Sequence, residues 1–276
     1  MAADPPAPEG GQPPELDVSQ AHSARVWNYL LGGTDNYSAD RQIGDMILEL
    51  FPDIARIARE QRQFLARSVR YLAREAGVRQ FLDIGTGLPA ADNTHEVAQR
   101  EAPESRIVYV DNDPLVLVHA RALLASTPPG ATAYIEADVR DPDRILAEAA
   151  KTLNFRRPVA LMMLGIMGQL PDSEHPHAIV TRLLSALPAG SYLALSDGTD
   201  TSPAASKAIQ NYNQNSASSY HLRSPGLIAA FFDGLELVEP GVVRTSRWRP
   251  DPDAAGDGDP EDAEAAVAGV GRKIRP

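Results

Sequence analysis

The sequence predicts an α/β protein. It should hold a single doubly wound, mostly parallel sheet of seven strands that ends in an antiparallel hairpin, preceded by a helical N-terminal extension. Three observations carry this expectation. From residue 80 onwards, five short apolar runs alternate with stretches of helical periodicity. The runs are nearly continuous in aliphatic residues, as expected of strands buried on both faces. The last two, 235–248 and 265–274, have only a loop between them, so their simplest pairing is antiparallel.

Each element has a local reason. Residues 1–18 are rich in Pro, Gly and acids and are expected to be a disordered tail. A first helix begins near Ser19 and stops at Gly32-Gly33. Ser38 can cap a second helix, whose Ile43, Met46, Ile47 and Leu50 share one face before Phe51-Pro52 closes it. Asp53 to Ala76 reads as a long amphipathic helix ended by Gly77. These helices form an extension over 19–77, placed as a lid and substrate pocket. The core then spans 78–276. Its strands are expected at 80–85, 106–113, 132–139, 158–165 and 190–198, with helices near 92–101, 114–126, 142–153, 174–187, 203–217 and 224–233. An acidic flexible loop is expected over 249–264. No repeat is visible.

Composition narrows the function classes. A chain of 276 residues with 43% apolar content can bury a substantial core. The formal net charge of −11 argues against a phosphate-tracking surface, so no nucleic-acid partner is expected. With no cysteine there is no disulfide framework and no catalytic thiol. The N-terminus lacks the basic start and apolar run of a signal peptide. The longest apolar run, 159–167, is too short to span a bilayer. The chain is therefore expected to be soluble and cytoplasmic, with no membrane partner.

Ligands of open α/β sheets bind beyond the carboxyl ends of the strands. Asp83, Asp111 and Asp138 close the first three strands, and Asp83 runs into Gly85 and Gly87. "GTGLPA" (85–90) formally fits a dinucleotide fingerprint, with Asp111 at the distance of a ribose-binding acid. Asp83 counts against that ligand, because a carboxylate just before the glycines would face a pyrophosphate. A cationic ligand would be favoured there.

The sequence "DIGTG", followed by "VYVDND" and "IEADV", resembles the class I S-adenosylmethionine-dependent methyltransferases, whose sheet is Rossmann-like. That resemblance implies the cofactor S-adenosylmethionine. It implies that Asp83, Gly85 and Gly87 line the methionine end, that Asp111 accepts the ribose hydroxyls and that Asn112 lies beside the adenine. Asp138 would accept from the adenine amino group, with Val139 packing nearby. Leu164 and Gly165 would face the sulfonium. Three further stretches, 23–41, 83–99 and 223–243, are similar to an actinobacterial methyltransferase family of unassigned substrate. Together they run over nearly the whole chain between its ends.

Other candidates are read from the residues alone. "NYLLGGTDNY" (28–37) is either a helix stop with a capped turn or a roof over the cofactor, to which Tyr29 and Asn36 would contribute. Trp27 is expected in the core. The histidines show no metal spacing, and no metal is expected. His95, after the glycine turn, is the candidate general base, with His221 second. The fourth strand continues as "LGIMGQLPD", without the motif of nucleic-acid amino-methylating enzymes. A small-molecule acceptor is therefore expected, its atom and identity open, as is the oligomeric state. A catalytically silent S-adenosylmethionine-binding or regulatory protein and an NAD(P)-dependent oxidoreductase stand as alternatives.

Overall fold

The computed structural model describes residues 18–123, 129–251 and 265–275. The expected tail and most of the expected acidic loop lie outside the described residues, as does the end of the helix expected to reach 126. Eight strands form one sheet: β1 (Gln80–Ile84), β2 (Arg106–Asp111), β3 (Ala131–Glu136), β4 (Ala160–Leu164), β5 (Tyr192–Gly198), β6 (Glu236–Leu237), β7 (Val243–Arg244) and β8 (Ala266–Arg272). The sheet order is β3-β2-β1-β4-β5-β8-β6, with β7 also on β8. β1 to β5 pair in parallel, and β8 runs antiparallel to β5. The chain therefore reverses its direction of winding between β3 and β4. That switch opens a crevice at the strand ends.

Nine α-helices cover the sheet among the described residues: α1 (Ser23–Leu30), α2 (Ser38–Leu50), α3 (Ile54–Arg74), α4 (Thr94–Glu101), α5 (Pro114–Leu123), α6 (Pro142–Ala149), α7 (Pro176–Ser185), α8 (Pro203–Asn215) and α9 (Pro225–Ala229). Strand periodicity sends alternate residues to opposite layers. Phe81, Ile107 and Met162 meet Phe64, Val69 and Leu72 of α3 on one face. Leu82, Val108 and Met163 meet Ile145 of α6 and Leu183 of α7 on the other. The expected extension thus divides. α3 belongs to the sheet's core, whereas Val26, Leu30, Ile43 and Ile47 of α1 and α2 cluster with Ala205, Ala208 and Tyr212 of α8.

Three local expectations are corrected. α1 starts at Ser23 rather than near Ser19, because His22 is held extended by its backbone N–H donating to Asp40 (2.9 Å). Ser38 is the first residue of α2 and not its cap. Tyr37 takes the cap position, and its N–H donates to the Asp40 carboxylate at 2.8 Å. The sixth strand, expected unbroken over 235–248, is two short pieces on either side of a turn at Pro240-Gly241. Pro240 offers no N–H to a ladder, so the strand cannot run through it.

Candidate active site

One cavity of about 780 Å³ opens at the strand ends. Its walls divide by chemistry. Asp83, Gly85, Gly87, Asp111, Asn112 and Asp138 line one lobe, at the ends of β1, β2 and β3. The other lobe lies under α1, α2 and α8 and is mainly apolar, with Trp27, Leu31, Phe51, Ile54, Ile209 and Leu222 in its wall. Leu164 and Gly165 at the end of β4 border the cavity too, as does Val139. Trp27, expected in the core, packs against the α1–α2–α8 cluster and also borders the cavity.

The turn after β1 is built for close approach. Gly85 (φ +73°) and Gly87 (φ +66°) hold the left-handed backbone that bends the chain away from the strand. A Cβ at Gly85 would lie 2.7 Å from the side chain of Ile166, whereas one at Gly87 would project into open space. Asp111 locks this turn to β2. One carboxylate oxygen accepts the Gly87 N–H (2.7 Å), and the other accepts the Asp113 N–H (3.0 Å). Each oxygen still has accepting capacity for a ligand. Asn112 donates to Asp138 at 3.0 Å, tying the ends of β2 and β3 together.

Charge is arranged around buried acids. Asp83 accepts from the Thr94 hydroxyl at 2.6 Å, yet burial pushes its carboxyl up to about 6. Asp111 is likewise raised, chiefly by burial. Burial would raise Asp113 too, but His22, the Leu115 N–H and Arg25 together outweigh it and hold the group below its ordinary range. His22 Nδ1 lies 3.0 Å from Asp113, so α1 is clamped to the loop that carries Asp111.

Arg62 of α3, which no motif in the sequence marks, lines the cavity near Asp83. Its terminal nitrogen donates to the Ala91 carbonyl at 2.7 Å, while its buried Nε finds no protein partner among the described residues. No motif marks Asp197 or Tyr220 either. The Tyr220 hydroxyl donates to the Asp197 carboxylate, and both side chains line the cavity beside Ser196 and Gln61.

Four expected site residues lie elsewhere. His95 is not in the cavity wall. Its ring meets Tyr109 edge-on, and Nδ1 and the backbone N–H both lie 2.8 Å from the Tyr109 hydroxyl. Asn93 caps α4, so Thr94 turns to Asp83 and the next side chain turns into the helix–sheet interface. Tyr29 packs on Gly44 and donates to Asp45 at 2.6 Å, joining α1 to α2. Asn36 is one layer behind the wall, donating to Asn28 and to the Gly33 carbonyl, both at 2.9 Å. His221 is not in the cavity wall either, although its Nε2 lies 3.1 Å from the hydroxyl of Ser219, which is. No metal-binding group of acids and histidines occurs among the described residues, and no helix there is long and apolar enough to cross a membrane.

The sheet order, the glycine turn and the acids at successive strand ends define a Rossmann-like methyltransferase of class I. The particular family follows from comparison. A model of the S-adenosyl methyltransferase family matches residues 9–274, and the chain belongs to that family. It is an S-adenosylmethionine-dependent methyltransferase, not a dinucleotide-dependent oxidoreductase. A DUF574 family protein from Streptomyces avermitilis MA-4680 is 46% identical, with a TM-score of 0.90 over 95% of this chain and 100% of that one. A Thermobifida fusca YX protein is 43% identical, with a TM-score of 0.87 over 95% and 98%. An O-methyltransferase family protein from Burkholderia thailandensis (14% identical, TM-score 0.51, 81% and 58% covered) shares the fold alone. Among curated proteins none matches this chain.

Proposed function

We propose that the enzyme methylates a small, largely apolar acceptor, which it holds under the N-terminal helices beside the cofactor. The observation that carries this reading is the divided wall of the cavity, acid-lined at the strand ends and mainly apolar beneath α1, α2 and α8. A volume of about 780 Å³ suits small ligands. An acceptor enclosed in this way would be shielded from water.

The polar lobe fits S-adenosylmethionine. Asp83 would attract the α-ammonium, and the unpartnered Nε of Arg62 would meet the α-carboxylate beside it. Asp111 would accept from the ribose, with Asn112, Asp138 and Val139 around the adenine and Leu164 and Gly165 near the sulfonium. Bound there, the cofactor supplies an electrophilic methyl group. The protein's part is then alignment, which contributes about 7–11 kcal/mol in well-oriented reactions. Tyr29 and Asn36 support the roof rather than touch the ligand. We assign His95 a packing role, because burial lowers its pKa and its Nδ1 is committed to Tyr109.

Calorimetric titration with S-adenosylhomocysteine tests the cofactor half of this reading. Charge-assisted ribose bonds are worth about 1.5–3 kcal/mol each. Asp111→Ala should therefore weaken binding by about tenfold or more, and Arg62→Ala should do likewise. Wild-type affinity in both variants would remove these residues from the site. Methyl transfer from labelled cofactor to a library of apolar small molecules tests the acceptor half.

A further inference from the structure

Asp197, Tyr220, Ser196 and Gln61 form a polar corner in the otherwise apolar part of the cavity wall. It sits where a reacting group would be needed. Leu164 pairs with Ser196 across β4 and β5, and the Gly165 N–H donates to the Ser196 carbonyl at 2.7 Å. Asp197 therefore follows directly beside the strand end assigned to the sulfonium. Gln61 reaches the same point from α3, with its amide donating to the Ser196 hydroxyl at 3.1 Å.

We propose that this corner binds the reacting end of the acceptor, and that the acceptor is a primary or secondary amine on an apolar body. The Asp197 carboxylate pairs with the amine and receives its proton, and Tyr220 holds that carboxylate in place. The inference rests on the methyltransferase reading above.

The partners of Asp197 give the chemical class. Oδ2 accepts from the Gly168 N–H at 2.8 Å, and Oδ1 accepts from the Gly198 N–H at 3.0 Å and from the Tyr220 hydroxyl. All three donors are neutral. Arg223, the cation whose charge Asp197 feels, spends its guanidinium on Asp172 and on the Met167 and Leu170 carbonyls. A carboxylate only 3% exposed in a cavity wall, without a cation bonded to it, is complemented by an ammonium. An alcohol offers a donor but no charge. Burial pushes the Asp197 carboxyl up to about 6, so it holds a proton more readily than an ordinary aspartate.

Tyr220 is a positioning residue. Its own ionisation is pushed well above the ordinary tyrosine value, chiefly by burial, so it serves as a donor and not as a base. The ring is wedged over Gly168 and Gly198, where added Cβ atoms would lie 2.3 and 3.4 Å from it. Only glycine at 168 leaves room for the ring that carries this hydroxyl. In the reaction, the amine nitrogen sheds one proton to Asp197 and its lone pair forms the N–C bond. The S–C bond breaks with its electron pair remaining on sulfur.

The test is calorimetry on the full chain saturated with S-adenosylhomocysteine, using phenethylamine and phenethyl alcohol as matched probes. The amine should bind tighter than the alcohol by about tenfold or more, the size of one charge-assisted bond. Asp197→Asn should abolish that preference while leaving S-adenosylhomocysteine affinity near wild type. Tyr220→Phe, which keeps the ring, should reduce the preference part of the way. Equal binding of the two probes, no binding of the amine, or a preference that survives Asp197→Asn would overturn the proposal. Failure of S-adenosylhomocysteine to bind at the outset would instead overturn the cofactor reading on which it rests, and this inference with it.

Discussion

Asp83 shows how one residue couples stability to ligand choice. It is 5% exposed, and its carboxyl is raised from 3.8 to about 6, chiefly by burial. A carboxyl raised on folding binds its proton more readily in the folded chain than in the unfolded one. Its charged form therefore opposes folding, by about 3 kcal/mol for a shift of this size. That cost is absent below about pH 4, grows as pH rises, and is complete above about pH 6. Without cofactor, Asp83→Asn should therefore gain about 3 kcal/mol on the wild type between about pH 4 and about pH 8. Denaturant unfolding at the two pH values checks this, and a constant difference would refute it. Asp83 was legible in the sequence because it ends an apolar strand before two glycines. Arg62 was not, since α3 carries six arginines and only packing tells that Arg62 turns to the cavity while Arg67 turns to the Thr245 and Trp248 carbonyls. His95 misled for the reverse reason. The loop after the glycines does open on the cavity, but a helix sends neighbouring residues in different directions, and Thr94 takes the inward one.

At the scale of elements, α1 is fastened at two places. His22 and Arg25 face Asp113, and Tyr29 packs on Gly44. A Cβ at Gly44 would fall 2.3 Å from the Tyr29 ring, so Gly44→Ala must push the helices apart. We expect this overpacking to cost about 1–3 kcal/mol in unfolding experiments. S-adenosylhomocysteine should in turn slow hydrogen exchange over residues 28–37, because Asn28 and Gly32 border the cavity. Unchanged exchange would make the segment an ordinary helix stop and turn. The glycines and aromatics of this segment announced a special turn, but they could not say that Tyr29 serves the α1–α2 contact. Alternating apolar faces decide such questions only once the partner helix is known. The split of β6 and β7 was readable in principle, since Pro240-Gly241 is a strong breaker within a run that otherwise looks like one strand.

For the whole molecule, topology and site follow from the same few features. Five continuous apolar strands require covered faces, right-handed crossovers order them, and a loop-linked final pair runs antiparallel. That was enough to expect a mostly parallel sheet with an antiparallel end, but not the placing of β8 between β5 and the two short pieces. The acids at the ends of β1, β2 and β3 were legible for the same reason, because strand ends are fixed once the strands are. Asp197 and Tyr220 were not, since 23 residues separate them and only the fold brings them into contact. The central claim is that one cavity joins a cofactor lobe to an acceptor lobe. A crystal structure with S-adenosylhomocysteine tests it most directly. The account predicts the amino-acid end at Asp83 and Arg62, the ribose at Asp111, and the sulfur at Gly165, facing Asp197 and the apolar lobe. A ligand bound outside this cavity, or with its sulfur turned away from that lobe, would contradict it.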